Sequence, residues 1–441
     1  MSSICEMPAV TAEPSTNTRA LTIVTALFFM WGFITVLNDI LVPHLKAIFD
    51  LTYAEVMFIQ FSFFAAYFVF SMPAGKVVDW VGYKKTMVAG LCTMSAGAFL
   101  FIAAATAVSF PLFLTALIII AAGITGLQVS ANPYVSTIGP EKTASSRLNL
   151  AQAFNSLGTT IGPYFGSLVI LSAAPRTMDE IRSMPGPALF AYRLHEAASV
   201  KLPYLGIGIT LLILAFSLSL TRLPKITSVE SEVSRELTSR SIWSFRHLVL
   251  GAVAIFVYVG AEVSIGSFLV SYFSQSDIGA MTVKIAAGYV SLYWGGAMVG
   301  RFIGSALLQK IRTEKLLAFF ASIACMLVII SMLTAGQIAV WSILAIGLFN
   351  SIMFPSIFTL GINGLGPLTG KGSGILIAAI VGGAIIPEIQ GIIADRIGIH
   401  HAFFLPAICY GYTVYFAVTC ARTPSVPQVP ESAVHTLETS M

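Results

Sequence analysis

Three carboxamide side chains recur at intervals of three in the stretch SSRLNLAQAFNSLGTTIGP, residues 145–163. They are Asn149, Gln152 and Asn155, and hydroxyl-bearing residues continue the polarity beyond them. In a helix, this spacing produces one polar stripe along an otherwise apolar surface. A carboxamide both donates and accepts hydrogen bonds, as a sugar hydroxyl does, and carries no charge to desolvate. The stripe favours binding of a neutral, hydroxyl-rich solute. Bonds between helices are the alternative, and the preferred interpretation for Asn149.

Other neutral side chains extend this candidate binding site. Gln128 and Asn132 lie four residues apart, so they share one face of a predicted helix. Asn350 is a further carboxamide in an apolar stretch, and Trp31 and Tyr258 could offer an aromatic face to a sugar ring. Each has a structural alternative, since polar side chains also join membrane helices and aromatic ones also pack against lipid. We predict all five for substrate binding.

Three carboxylates fall within apolar segments. Asp39 follows Asn38 near the end of the first segment, Glu262 lies in GAEVS, and Glu388 follows Pro387. An ionised carboxylate at the centre of a membrane helix costs roughly 2.5–3.5 kcal/mol on insertion scales, so such groups are either functional or paired. We predict the three carboxylates for cation coupling and Asn38 for substrate binding. Structural pairing is the alternative, for Glu388 with backbone groups that the proline leaves free.

The elements that position these residues must be membrane helices. Of the 441 residues 56% are hydrophobic and only 10% are charged, whereas soluble domains carry about 25% charged residues. Charged residues are absent from Thr86 to Pro140 and from Leu316 to Gly370. Since a membrane helix needs roughly 20 apolar residues, each of these blocks holds two spans. We therefore predict an all-α integral membrane protein with helices at about 21–43, 55–75, 86–106, 110–134, 147–173, 203–221, 247–273, 284–308, 316–334, 338–361, 373–395 and 401–421.

Lysine and arginine residues are distributed unevenly between alternate loops. Most of the 24 lie in loops on the side of the N-terminus, which places that side and both termini in the cytoplasm. A polar segment rich in Ser, Glu and Arg separates two groups of six helices, as a linker would. The predicted organisation is a tail at 1–20, a six-helix bundle at 21–221, a linker at 222–246, a second bundle at 247–421 and a tail at 422–441.

One short turn recurs along the chain. The stretch GKVVDWVGYKK contains Gly75, Asp79, Gly82, Lys84 and Lys85. Gly75 permits close helix packing, Gly82 permits a tight turn, and Asp79 could accept hydrogen bonds at the start of a neighbouring helix. GIIADRIG (391–398) repeats the glycine, aspartate and glycine spacing, and SALLQKIRTEK (305–315) occupies the matching place in the second half. Such echoes are typical of transporters built from nested repeats, and we predict this turn as a conformational gate.

These motifs resemble those of a known family. The turn at 75–85 is similar to the signature loop of the major facilitator superfamily. Longer stretches resemble its fucose:proton symporter family, and within that family the bacterial glucose/galactose permeases. These stretches are FFMWGFITVLNDILVPHLK (28–46), GLQVSANPYVSTIGPE (126–141), RLNLAQAFNSLGTTIGP (147–163), FVYVGAEVSIGSFLVSYF (256–273), YWGGAMVGRFIGS (293–305) and GLFNSIMFPSIFTLGINGLG (347–366).

The resemblance implies a twelve-helix fold of two pseudo-symmetric six-helix bundles with a sugar site at the membrane midplane. It implies that the residue matching Asp39 takes part in coupling and binding, and that the residue matching Asn155 binds sugar. The fucose transporter carries a membrane-embedded glutamate where this chain has Gln128, and a glutamine cannot titrate. We therefore hypothesise that the coupling carboxylate has moved across the cavity to Glu262.

The function expected from this resemblance is import of a neutral monosaccharide, glucose or galactose, by proton symport with alternating access. The alternatives are import of fucose or N-acetylglucosamine, Na⁺-coupled or uncoupled carriage, or a sugar-sensing receptor. We expect a multi-pass monomer in the lipid bilayer of a bacterial inner membrane. We expect neither an enzyme nor a nucleic-acid binder. We also expect no cofactor and, because the six histidines show no ligand spacing, no metal.

Overall fold

The computed structural model describes residues 16–49, 53–169, 183–224 and 239–422. The side chains of residues 37–48 lie outside this description, as do most of the predicted linker and most of each predicted tail. The first half of the described chain contains seven α-helices: α1 (Thr18–Phe49), α2 (Tyr53–Val81), α3 (Tyr83–Ala107), α4 (Phe110–Thr137), α5 (Ala144–Val169), α6 (Gly186–Ser199) and α7 (Lys201–Leu220). The second half contains nine: α8 (Arg246–Phe273), α9 (Val283–Leu307), α10 (Thr313–Leu333), α11 (Gly336–Asn350), α12 (Met353–Ile362), α13 (Thr369–Ala378), α14 (Gly382–Ile397), α15 (Ile399–Ala402) and α16 (Phe404–Arg422).

The prediction of an all-α architecture with twelve membrane helices is confirmed, and two of these helices are interrupted. The tenth is split between α11 and α12, where Pro355 in the first turn of α12 cannot donate a main-chain hydrogen bond. The eleventh is split by a 3₁₀ turn at Ala379–Val381, followed by Gly382 and Gly383. Both interruptions stand at places where glycine or proline weakens an α-helix.

Helix α6 was not predicted. It occupies Gly186–Ser199 and contacts α1, α3 and α7. Arg193, His195 and Glu196 keep its sequence below the apolarity of a spanning helix, so the rule of about 20 apolar residues passes over it.

The surface of the bundle is strongly apolar. Among the exposed side chains are Leu333 at 80%, Leu202 at 73% and Phe216 at 65% exposure. Soluble monomers rarely expose large continuous apolar patches, so this surface suits a bilayer. Within the described residues, ten segments are long and apolar enough to cross a membrane. Helices α5 and α9 are not among them, because their sequences are more polar.

The two halves meet along α5 with α9, and along α2 with α13. We call the end of the bundle at which α1 begins the base, and the opposite end the rim. At the base, the hydroxyls of Ser146 and Ser305 are 3.3 Å apart across the halves. The Thr313 hydroxyl donates to that of Ser145 at 2.9 Å, and the Ser373 hydroxyl donates to the main-chain oxygen of Val129 at 2.9 Å.

The recurring turn has one backbone conformation at two places. Gly82, between α2 and α3, has φ 83° and ψ 165°. Gly398, between α14 and α15, has φ 84° and ψ 152°. A positive φ of this size is open to glycine at little cost. Because α2 ends at the base and α14 ends at the rim, the same turn stands at opposite ends of the bundle, as inverted repeats require.

Candidate functional site

The polar stripe of α5 faces two different neighbours. Asn149 Nδ2 donates to the main-chain oxygen of Arg301 on α9 at 2.7 Å. Farther toward the rim, Asn155 Nδ2 donates to the main-chain oxygen of Phe28 on α1 at 2.9 Å. Between them Gln152 is 5% exposed, and its amide bonds no described residue. Asn149 and Asn155 therefore join helices, while Gln152 keeps its amide available for a ligand.

On α4 the predicted pair of carboxamides is buried. Gln128 Nε2 donates to the hydroxyl of Tyr67 on α2 at 2.9 Å, while its Oε1 is buried with no described partner. Asn132 is fully buried, and neither its Oδ1 nor its Nδ2 has a partner among the described residues. Native proteins pair nearly all of their buried polar atoms with protein or water. These atoms are therefore places where water or a ligand group would be accepted.

Trp31, on α1, is largely buried and its ring centroid lies 5.4 Å from that of Phe28. The packing partner thus belongs to the same turn of α1 that accepts the Asn155 hydrogen bond. The side chains of Asn38 and Asp39, which lie farther along α1, fall outside the described residues. Their predicted roles in binding and coupling remain predictions.

Asn350 stands at the centre of a buried network in the second half. Its Nδ2 donates to the Tyr293 hydroxyl at 2.7 Å, and its Oδ1 accepts from the Tyr410 hydroxyl at 2.8 Å. The Tyr258 hydroxyl donates to the main-chain oxygen of Asn350 at 3.0 Å. All three tyrosines are fully buried. Asn350 and Tyr258 are thus engaged with each other and with two tyrosines that the sequence did not single out.

Glu262 lies beside this network on α8. Its main-chain oxygen accepts from the Tyr293 hydroxyl at 3.4 Å, and its carboxyl interacts with the Tyr258 hydroxyl. The guanidinium of Arg301, on the adjacent α9, acts on it electrostatically. Arg301 also donates from Nη1 to the hydroxyl of Ser156 on α5, across the boundary between the halves. A carboxylate, an arginine and the polar stripe of α5 are thereby brought to one place.

Glu388 is differently placed. It is exposed on α14, one residue after Pro387. Two residues farther on, Gln390 is fully buried with both amide atoms unpartnered among the described residues. The structure therefore does not bring Glu388 into the network around Asn350.

The predicted gate residues lie at the base, where the halves touch. A side chain at Gly75 would meet the main-chain oxygen of Gly370 at 2.8 Å. The Asp79 carboxyl lies against Gly370, in the first turn of α13, where a helix dipole favours negative charge. Lys84 Nζ donates to the main-chain oxygen of Ser219 at 2.7 Å.

The remaining gate residues complete this turn. Gly82 takes the positive φ that the tight turn was predicted to need. Lys85 is exposed at the start of α3. Next to Gly370, Lys371 acts electrostatically on Asp79. The turn therefore joins α2 to α13 through a carboxylate of one half and the helix start of the other.

Sequence reasoning missed Arg301, Tyr293, Tyr410 and Tyr67 as members of the site. Arg301 had a usable signal, because a charged residue inside a membrane segment is rare and points to a partner. The tyrosines had no such signal, since buried tyrosines in apolar helices are common and only the fold shows which hydroxyls converge.

Together these side chains can bind a neutral solute and respond to a cation. The first half offers carboxamides with unfilled hydrogen-bonding capacity, and the second half offers Glu262 within a ring of tyrosine hydroxyls. Within the described residues, His, Cys, Asp and Glu form no group of three or more that could hold a metal ion.

Comparison with known families and proteins gives consistent results. Residues 21–387 match the family described as Major Facilitator Superfamily. The chain is 52% identical over 404 residues to a protein of Brucella abortus named glucose/galactose transporter, covering 92% of this chain and 94% of that one. It is 46% identical over 411 residues to a putative glucose/galactose transporter of Helicobacter pylori, covering 92% and 98%. It is 36% identical over 398 residues to the L-fucose-proton symporter of Escherichia coli, covering 89% and 91%.

A solved structure agrees with the fold. FucP, described as a Major Facilitator Superfamily transporter in the outward conformation, superposes with a TM-score of 0.85. The two sequences are 35% identical, and the match covers 91% of this chain and 99% of that one.

Proposed function

Because the chain belongs to the major facilitator superfamily, we propose that it imports a neutral monosaccharide together with a proton by alternating access. Glucose and galactose are the proposed substrates. One observation carries this proposal, namely 52% identity across 92% of the chain to a protein named glucose/galactose transporter. Fucose is the second candidate, because the chain is also 36% identical to a protein named L-fucose-proton symporter.

The sugar would lie between the halves, on the polar faces of α4 and α5. Among the described residues, the amide oxygen of Gln128 and both amide atoms of Asn132 are buried without a hydrogen-bond partner. Gln152 lies on the polar face of α5 and is 5% exposed. Asn155 retains Oδ1 as an acceptor after its Nδ2 has bonded to α1. Neutral groups of this kind suit hydroxyls, since an exchange of water for protein hydrogen bonds then moves no charge.

Alternating access needs the halves to separate at one end while they close at the other. The described contacts between the halves run from the base, at Ser146 and Ser305, to Thr160 on α5, which contacts Met298. This pattern supports assignment of the described conformation as closed at the base and open toward the rim. We further propose that the base faces the cytoplasm of a bacterial cell, because lysine and arginine concentrate there. Thiol labelling of Lys310→Cys from the inside only would check that orientation.

We expect no chemical conversion of the sugar, and we propose that the monomer is the working unit. The proton would be carried by a carboxylate, with Glu262 and Asp39 as the candidates. Sodium remains the alternative ion, since a carboxylate with carboxamides nearby can serve either.

The test is uptake of labelled glucose into proteoliposomes, with and without an imposed inward proton gradient. We expect accumulation above the external concentration only with the gradient. Glu262→Gln should reduce accumulation to equilibration, whereas Asp277→Asn, which changes an exposed carboxylate between α8 and α9, is the matched control. Accumulation driven by sodium and not by protons would contradict the proton assignment. No uptake of glucose, galactose or fucose would contradict sugar transport altogether.

A further inference from the structure

Arg301 binds α5 twice, through its main chain and through its side chain. Its carbonyl accepts from Asn149 Nδ2 at 2.7 Å, and its Nη1 donates to the Ser156 hydroxyl. Ser156 is 4% exposed and Arg301 is of intermediate exposure, so this second bond is partly buried. A single residue of the second half therefore holds α5 of the first half at two heights.

The same arginine has a second potential partner within its own half. Glu262, on the adjacent α8, has a buried Oε1 with no described hydrogen-bond partner, and Arg301 has a buried Nε in the same condition. The two groups interact electrostatically, yet they form no ion pair in the described structure. Opposite charges that are both incompletely satisfied in a low-dielectric region attract strongly, because solvent screens them little.

Among the described residues, Arg301 is the cationic group that acts on Glu262. Tyr258, Tyr293 and Tyr410 are the other titratable side chains that interact with this carboxyl. Glu388, on the packed helix α14, is exposed and takes no part. The Tyr293 and Tyr410 hydroxyls are engaged with the Asn350 side chain. The Tyr258 hydroxyl bonds the Asn350 main-chain oxygen and also interacts with the Glu262 carboxyl, but it carries no positive charge. A negative charge on Glu262 would therefore be stabilised chiefly by the Arg301 guanidinium.

We propose that Arg301 exchanges partners according to the protonation of Glu262. While Glu262 is protonated, Arg301 bonds Ser156 of α5 and holds the base closed. When Glu262 loses its proton to water in the cavity, the guanidinium turns to the carboxylate, and α5 loses its second attachment. This inference rests on the proposed function, because it names the site and the step at which the coupled proton acts.

The exchange of partners predicts how pH changes the balance between a closed and an open base. Acid conditions keep Glu262 protonated and so favour the closed base, whereas alkaline conditions favour release of α5. A proton taken up from the rim side would then hold the base closed until sugar binding supplies the free energy to open it. Such an arrangement limits passage of protons without sugar.

The experiment measures the conformation of the base directly. Spin labels are placed at Glu141→Cys and Lys310→Cys, which are exposed at the base on opposite halves. The five native cysteines are replaced by alanine or serine. The distribution of distances between the two spin labels is recorded in lipid nanodiscs by double electron–electron resonance, at acidic and at alkaline pH, without sugar or gradient. Each variant is first required to elute as a single species.

We expect the ratio of closed to open base to rise roughly fivefold or more on acidification, in the ordinary range for coupling between two sites. Glu262→Gln should stay closed at both pH values, and Arg301→Gln should lose the pH response while favouring the open base. Arg301→Lys keeps the positive charge but lacks the planar array of guanidinium donors, and it is the second variant if Arg301→Gln does not fold. Asp277→Asn, at an exposed carboxylate outside the predicted site, should respond as the unmodified protein does.

A pH response that survives in Glu262→Gln or in both arginine variants overturns the exchange. Because the measurement needs no substrate, it separates this inference from the proposed function. A protein that fails to transport sugar but shows the expected responses would retain the exchange, whereas one that transports sugar with an unresponsive base would not.

Discussion

At the scale of single residues, Asn350 gives the clearest contrast between two roles for a carboxamide. Two tyrosine hydroxyls use its amide, one as donor and one as acceptor, and the side chain is 1% exposed. An amide whose nitrogen and oxygen are both hydrogen-bonded to protein stabilises the fold by fixing the positions of its neighbours. Gln152, in contrast, is buried beside the boundary between the halves with its amide unused by the described residues.

This contrast predicts different outcomes for substitution. Asn350→Ala would leave the hydroxyls of Tyr293 and Tyr410 without their partner, and we expect a loss of about 1–3 kcal/mol in the free energy of unfolding. The measurement is the thermal melting temperature of the purified protein in detergent, with Asn363→Ala as an exposed control. An unchanged melting temperature together with a raised KM for sugar would instead support the predicted role of Asn350 in substrate binding.

The types of these residues could be predicted from the sequence, but their partners could not. A spacing of three shows that Asn149, Gln152 and Asn155 share a face of one helix. It does not show that Asn149 reaches α9 while Asn155 reaches α1, because that depends on where the neighbouring helices cross α5. For the same reason, the position of Arg301 within an apolar segment does not show its partners on α5 and α8.

At the scale of elements, the charge-free blocks predicted most of the helices, since spans and loops differ sharply in composition. The breaks after Asn350 and at Ala379–Val381 were missed, although Pro355 and the pair Gly382 and Gly383 stand beside them. A window of about 20 residues averages over such breaks. Gly382 lies directly against the main chain of Phe256 on α8, so its lack of a side chain permits the close approach of α8 and α14.

The contact of α5 with α9 predicts a chemical lock. In the double variant Ser146→Cys and Ser305→Cys, the two thiols replace hydroxyls that are 3.3 Å apart. Oxidation should join the halves at the base and abolish most uptake in proteoliposomes, because the base could no longer open. Reduction should restore uptake, and each single variant should be insensitive to oxidant. Full uptake by the cross-linked protein would contradict the need for the base to open.

At the scale of the whole molecule, several kinds of contact connect the two halves. Hydrogen bonds, close glycine contacts and the side chain of Arg301 all cross the boundary on the base side. The sequence predicted two halves and a repeated turn. It could not predict at which depth the halves touch, because the conformations of such a transporter use the same helices.

The polarity of α5 and α9 has a consequence for how the chain is made. These two helices fall outside the ten described segments that are apolar enough to cross a membrane unaided. α5 begins at Ala144 and α9 at Val283, so at about 5–20 residues per second α9 reaches the translocon roughly 7–28 s after α5. We expect α5 placed alone in a glycosylation-reporter protein to insert poorly, and α3 to insert well. Efficient insertion of isolated α5 would refute this. If α5 inserts poorly by itself, assembly of the first half depends on synthesis of the second half. Chaperones or the insertion machinery would have to shield the polar stripe of α5 until α9 is made.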